Sequence, residues 1–458
     1  MINTLYLPEI REMLAENDAA GLQEFCTALN PARTAEFMEG LAANESWQVL
    51  RHADLALREE IFTYFEHERQ VEILETQDRQ EVAELIADVA ADDRVDLLRE
   101  VREEVVEELL PLLPINIRRE ILRLRAYPEG TAGAMMTTEV AKLSESLTAR
   151  AALEELSRQA AKLETIYYLY VVDEDDHLLG VVSARQLVAN IVKPETHLGD
   201  LMEPDIVAVN ATEDQEEVAR KVAHYDLLAI PVVDGQRRLV GIITHDDVID
   251  VVRDEAAEDA QRIAGVAPLE EGFLETSLLS LTWKRGVWLT ILFFTALFTA
   301  SALHNYEAQL TTWPWIMLFI PLIMSSGGNS GNQSATLVIT ALSRGEIELS
   351  DWWLIARREV AVGLMLGGFL AIFGFLVVWI ITDDAGAKMQ FWWPCVVPLT
   401  LVLVVTCGAV AGSMLPLLFK RLGLDPALMS NPFVAGLSDI LAIVIYMTVA
   451  LTLLSKIP

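Results

Sequence analysis

The stretch PFVAGLSDILAIVIYMTVALTLL, residues 432–454, decides how the chain is read, because Asp439 is its only charge. About twenty apolar residues are what a helix needs to cross the core of a bilayer. A carboxylate at that depth costs about 2.5–3.5 kcal/mol on insertion scales, so it marks a water-filled path, a proton relay or a buried pair. Four more apolar stretches precede it, at roughly 286–303, 313–342, 360–382 and 392–419. Nine of the ten tryptophans lie between 283 and 393, mostly at span ends (Trp283, Trp313, Trp315, Trp352, Trp353, Trp392, Trp393). Such a belt is what the membrane–water interface selects. Lys284, Arg285, Arg344, Arg357, Arg358, Lys420 and Arg421 flank one side of the spans, against Lys388 and Lys456 on the other. The positive-inside rule then puts the N-terminus in the cytoplasm and the C-terminus outside. MINTLYLPEI lacks the features of a signal peptide, so residues 1–281 are expected to stay inside.

The second span carries SSGGNSGNQS at 325–334. Polar or irregular backbone at membrane depth is tolerated only against protein or along a cavity. Gly327, Gly328 and Gly331 permit close approach. Asn329, Asn332 and Gln333 offer amide oxygens, and any freed backbone carbonyls would add more. These six residues are therefore expected to line a pore, with tight packing through small residues as the competing account. Asp439 lies about 10 Å along its helix, in the inner half of the membrane. Five spans make a thin bundle, and a homodimer with the path on its two-fold axis is the economical arrangement. Two facing carboxylates without thiol or imidazole suit a hard divalent cation. Mg²⁺ keeps much of its water shell and is often held by one or two carboxylates.

The charge is uneven. Residues 282–458 hold nine basic and nine acidic residues, so the whole net charge of −33 lies in residues 1–281, with 25 basic and 58 acidic. An acidic surface attracts cations and repels nucleic acid and anionic lipid. Three cysteines without metal spacing, scattered histidines, and no HExxH, GxSxG or Walker motif leave no basis for an enzyme.

Residues 1–127 read as amphipathic helices at steps of about 12 residues (HERQVEILETQ, DRQEVAELIADV, DDRVDLLREV), an acidic superhelical array. Its candidate ligands are Glu59, Asp92, Asp93 and Asp96, with solvated helix faces as the ordinary alternative. Residues 131–190 and 198–253 repeat one another: MMTTEVAKL…IYYLYVVDEDDHLLGVVSARQLV against LMEPDIVAV…LLAIPVVDGQRRLVGIITHDDVI. Each copy resembles a CBS domain, and together they resemble the CBS pair, an α/β ligand-sensing module. In the CBS nucleotide pattern a Thr and an Asp three residues on contact phosphate and ribose. Thr244 and Asp247 match it, whereas the first copy has Ser183 and Gln186. That resemblance implies ATP, if bound, at the second copy. Asp247, Asp250, Asp254 and Glu258 then form one helical stripe, with Glu255 and Asp259 beside it. Like charges so spaced destabilise a helix unless cations occupy them.

In this order the parts resemble the MgtE family of Mg²⁺ channels, most specifically through GGNSGNQ (327–333), DPALMSNPFVAGLSD (425–439) and the CBS pair followed by EAAEDA (255–260). The resemblance implies a multi-domain membrane protein: an all-α domain at 1–127, tandem CBS domains within 128–253, a connecting plug helix within 254–281, and five transmembrane helices in 282–458. It implies a homodimer of the bacterial plasma membrane conducting Mg²⁺ down its gradient, with Asp439 the principal ligand. It also implies sensor carboxylates at Glu59, Glu216, Asp226, Asp247 and Asp250, with Glu258 and Asp259 in the plug, and a gate closed by intracellular Mg²⁺. The rival readings are a secondary transporter using Asp439 as coupling carboxylate, and a membrane-tethered CBS sensor without transport.

Overall fold

The computed structural model describes residues 5–160, 163–269, 272–274, 276–383, 393–428 and 431–454. Lys388, Trp392 and Lys456 fall outside them. The chain divides into two units, Met1–Arg253 and Asp254–Pro458.

The first unit begins with α1 Leu7–Glu16, α2 Ala19–Ala28, α3 Pro31–Met38, α4 Ala43–Leu50, α5 Leu55–Thr63, α6 His67–Thr76, α7 Arg79–Asp88, α8 Ala91–Glu100, α9 Glu103–Leu109 and α10 Ile115–Leu124. Local chemistry cuts the chain into these lengths. The side chains of Asp18, Asn30, Asp54 and Asp78 each accept a backbone N–H of the first turn, which satisfies donors the helix itself leaves open. From α2 to α10 each helix packs on the one two places along, the stacking of a superhelical array. Trp47, Phe62, Ile73, Leu85 and Leu98 fill its core. Buried Arg94 is fully engaged, donating to Ile86 O (2.8 Å), Val89 O (2.5 Å) and Glu120 (3.1 Å).

The repeat follows as α11 Ala132–Met135, β1 Lys142–Ser144, α12 Ala149–Gln159, β2 Tyr168–Val172, β3 Leu178–Ser183 and α13 Ala184–Ala189, then α14 Leu198–Leu201, β4 Val209–Asn210, α15 Gln215–Tyr225, β5 Ala229–Val233, β6 Leu239–Thr244 and α16 His245–Ile263. Each half is a three-stranded sheet, first pair parallel and second antiparallel, with the same register shift after Val171 and after Val232. In both VVD turns the Asp side chain (Asp173, Asp234) accepts two backbone N–H groups. The halves trade segments: Thr137 pairs with Ile242 of the second copy, and Glu203 with Val181 of the first. Gly180 and Gly241 leave room for the Met202 and Met136 that accompany these crossings. One apolar core runs from the array into the second copy through Val209, Val218, Ile230 and Ile243.

The second unit is helical: the end of α16, then α17 Leu278–His304, α18 Glu307–Thr312, α19 Trp315–Ser343, α20 Trp352–Asp383, α21 Val396–Arg421 and α22 Asn431–Leu454. Four of the five long helices are long and apolar enough to cross a membrane; α19 is not among them, because SSGGNSGNQS interrupts it. It nevertheless packs against both α21 and α22. The helix expected within 254–281 is the far end of α16, which continues unbroken from the second repeat and stops at Ile263.

Candidate cation-binding sites

The polar stretch of α19 stays helical throughout, so the expected freed carbonyls are absent and side chains alone supply polar groups. Its glycines divide by face. A Cβ on Gly327 would meet Val404 Cγ1 at 2.5 Å, and one on Gly412 of α21 would meet Gly331 O at 2.1 Å. Gly327 thus packs closely on α21, while Gly331 sits between two helices, where a Cβ would meet Ser438 Oγ and Val434 Cγ1 of α22 at 3.0 Å and Gly408 O of α21 at 3.1 Å. Gly328 also faces α22, where a Cβ would stand 3.9 Å from Asp439 Oδ1. Asn329 and Gln333, one turn apart, are exposed on the isolated chain. Asn332 is half-buried and its Oδ1 has no partner among the described residues; nor has Ser438 Oγ, beside Asp439. Thr336 donates to Asn431 Oδ1 at 3.2 Å, joining the start of α22 to α19. Glu359 also belongs here. The sequence reading began the third span one residue after it, but α20 starts at Trp352. Glu359 Oε2 therefore lies within the bundle and accepts Ser334 Oγ at 2.5 Å.

In the first unit α8 sets Asp92, Asp93 and Asp96 against the start of α16. Asp92 is buried, and its Oδ1 has no partner beyond its own residue. Burial, then the charges of Asp247, Asp93 and Glu164, hold its carboxyl well above the usual range. Asp93 is raised by burial and by Asp246 and Asp250, although solvent reaches it at the rim. Asp96, open to solvent at the rim like Asp93, is still pushed up to about 6, because desolvation by the surrounding protein outweighs the Arg99 guanidinium. Asp247 is likewise pushed up to about 6 by burial, against the lowering effect of its bond from Thr244 Oγ1 at 2.6 Å. Glu59 is pushed up to about 7 by burial and by Asp88, Glu60 and Asp93. Glu164, although exposed on its outer side, reaches about 7 through desolvation by the surrounding protein and through Asp247, and Glu139 is raised mainly by burial.

Burial and like charge act together here, so the structure gathers Glu59, Asp92, Asp93, Asp96, Asp247 and Asp250 into one electrostatic neighbourhood. It adds Asp88, Glu139, Glu164 and Asp246, which sequence reasoning missed. Nothing in their local pattern marks Glu139 or Glu164; they meet through a backbone bond from Glu164 N to Glu139 O at 3.0 Å. Glu216 and Asp226 stand apart, in the first turn and at the C-cap of α15. Thr244 and Asp247 form a helix-start box, as Ser183 and Gln186 do in the first copy.

In the second unit Arg262 bonds both Glu258 of its own helix and Asp425, in the loop before α22. Asp259 is raised by burial first and then by Asp425 and Glu255. Asp425 was legible only as the opening residue of DPALMSNPF. Among the described residues no three carboxylate, imidazole or thiol side chains enclose an ion on their own. A cation here would have to be shared with water or with a second chain.

Three matches with known families cover most of the chain. A model described as a divalent cation transporter, MgtE, matches residues 320–449. The MgtE intracellular N domain matches 29–130, and the CBS domain matches 132–193 and 198–254. The chain is 38% identical over 451 residues to the magnesium transporter MgtE of Thermus thermophilus, covering 98% of each. It is 37% identical over 331 residues to that of Enterococcus faecalis, covering 72% of this chain and 71% of the relative. The crystal structure of the soluble part of a magnesium transporter superposes with a TM-score of 0.51 at 33% identity, covering 55% of this chain and 98% of that one. The cytosolic domain of the Mg²⁺ channel MgtE in complex with ATP gives 0.50 at 37% identity, covering 53% and 98%.

Proposed function

The chain belongs to the MgtE family of magnesium transporters, and from that premise we propose that it is a homodimeric, Mg²⁺-gated channel conducting Mg²⁺ past Asp439. One observation carries the reading: Gly328 and Asp439 face each other beside amide side chains that a single chain leaves uncovered. Lipid cannot satisfy those amides. A second copy bringing the same face together would enclose a wet path with two carboxylates. A paired aspartate suits Mg²⁺ that keeps its water shell. Inside-negative potential supplies about 4.6 kcal/mol per 100 mV for a divalent ion, so no coupled reaction is needed.

The acidic neighbourhood around Asp92 supplies the sensor. A buried carboxylate oxygen without a partner, ringed by like charge, fits a hard cation. Mg²⁺ there would neutralise α8 against the start of α16, while Glu255, Glu258, Asp259 and Asp425 would act likewise nearer the membrane. A like-charge pair at 4 Å is worth about 4 kcal/mol at an effective dielectric of 20. Moving a gate from 1:99 to 99:1 needs about 5.5 kcal/mol of differential binding, so several shared sites are required. Adenine nucleotide at Thr244 and Asp247 would enter this acidic surround and would need its metal with it.

The test is Mg²⁺ uptake into vesicles reconstituted with purified protein. Asp439→Ala is expected to abolish flux while the protein still assembles and unfolds normally. Flux equal to the wild type would remove Asp439 from the path.

A further inference from the structure

Most arginines of the acidic first unit end on a carboxylate: Arg51 on Glu81, Arg79 on Glu108, Arg125 on Glu103. Arg119 and Arg123, one turn apart on the exposed side of α10, have no carboxylate partner among the described residues. They border a cleft of about 350 Å³ whose opposite wall is built by the repeat, through Thr138, Lys142 and Val240. The one acidic side chain in the lining, Glu120, is already used. Its Oε2 accepts Arg94 at 3.1 Å, and its Oε1 accepts the Thr138 hydroxyl. Lys142 Nζ is fixed at the wall by Leu239 O at 2.8 Å and by Asp176 at 3.3 Å. Arg123 spends one N–H on Val240 O at 3.3 Å.

We propose that this cleft binds a small polyvalent phosphate anion, a di- or triphosphate group, which Arg119 and Arg123 grip by their guanidinium forks and Lys142 by its charge. Three observations select that chemistry. Planar arginine donors match phosphate oxygens two at a time, while lysine acts as a point charge. Val240 is the only apolar residue of the lining and no aromatic ring faces it, so the cleft has nothing on which a nucleobase would stack. The volume lies at the low end for small-molecule sites, and a helix of about 10–12 Å diameter would not enter. A single carboxylate would satisfy one fork and leave the rest. A ligand here would tie α10 of the helical array to both repeats. It would thereby favour the same seating that gathers Asp92 and Asp247, and by linkage Mg²⁺ and the anion would each tighten the other.

The proposal does not depend on conduction and is tested without it. Full-length protein in detergent, free of divalent ions and at fixed ionic strength, is titrated calorimetrically with inorganic pyrophosphate. Saturable binding is expected, weakened at least tenfold in Arg119→Gln/Arg123→Gln and unchanged in Arg33→Gln, an exposed arginine on α3. The double variant should keep the wild-type melting temperature in the absence of anion, which separates lost binding from lost folding. No saturable binding overturns the assignment. Equal binding by the double variant does so too, as does displacement of pyrophosphate by adenosine, which would locate the anion in a nucleotide crevice of the repeat.

Discussion

Asp439 and the glycines of α19 show how far single residues determine the membrane unit. Asp439 stands out in sequence because nothing around it is charged, and its neighbours follow from helix geometry. The division of labour among the glycines does not. Gly327 packs on α21, Gly331 lies between α21 and α22, and Gly328 faces the carboxylate, and that depends on how α19 is rotated between two partners. Gly412→Ala is therefore a sharp probe of packing, since its Cβ would stand 2.1 Å from Gly331 O, a backbone atom that cannot swing away. Overpacking of this kind costs about 1–3 kcal/mol. We expect a lower unfolding temperature in detergent and reduced flux together. An unchanged melting curve would mean that α19 and α21 separate freely at this crossing. Glu359 was missed for a simple reason: apolar runs fix the membrane core well and the ends of the helices poorly, and its partner Ser334 lies 25 positions away.

Among elements, the helices of the array and the two sheets were readable from period and repetition. What was not readable is which helix ends converge. The start of α16 meets α8 and the lead-in segments holding Glu139 and Glu164, across separations no local pattern spans. Their raised carboxyls imply a pH dependence with a definite sign. A carboxyl whose folded value lies above its unfolded one adds stability that is fully present below the unfolded value and is lost as pH rises through the folded one. For Asp96 and Asp247 that loss is complete by about 6, and for Glu59 and Glu164 by about 7. Without Mg²⁺, the array should therefore sit firmly on the repeat near about pH 5 and loosen by about pH 8, with added Mg²⁺ restoring it at the higher pH. Hydrogen exchange along α8 reads this directly. Protection independent of pH, or a change of the opposite sign, would contradict the shared acidic neighbourhood.

For the molecule as a whole, charge and apolarity are segregated. The net negative charge lies in residues 1–281, and the apolar spans follow in a stretch whose charges balance. On the gating proposed above, a cation would neutralise one part while passing through the other. Replacing Asp247, Asp250, Glu258 and Asp259 together by Asn or Gln should leave the channel open at Mg²⁺ concentrations that close the wild type. The readout is vesicle flux measured against internal Mg²⁺. Normal closure by that variant would place the sensor elsewhere.

The sequence by itself determined the order of parts, the five apolar stretches, the duplicated CBS unit and the intramembrane carboxylate, because these rest on local composition, periodicity and repetition. Only the tertiary structure decided that α16 runs unbroken through the expected domain boundary, that Asp92 is buried beside Asp247 with one carboxylate oxygen unpartnered by any other described residue, and that Asp425 joins Glu258 through Arg262. It also decided that Arg119 and Arg123 open onto a cleft while Arg94 and Arg125 are held by carboxylates. The physical reason is common to all of them. Desolvation and Coulomb interactions depend on distance in space, and a sequence records only distance along the chain.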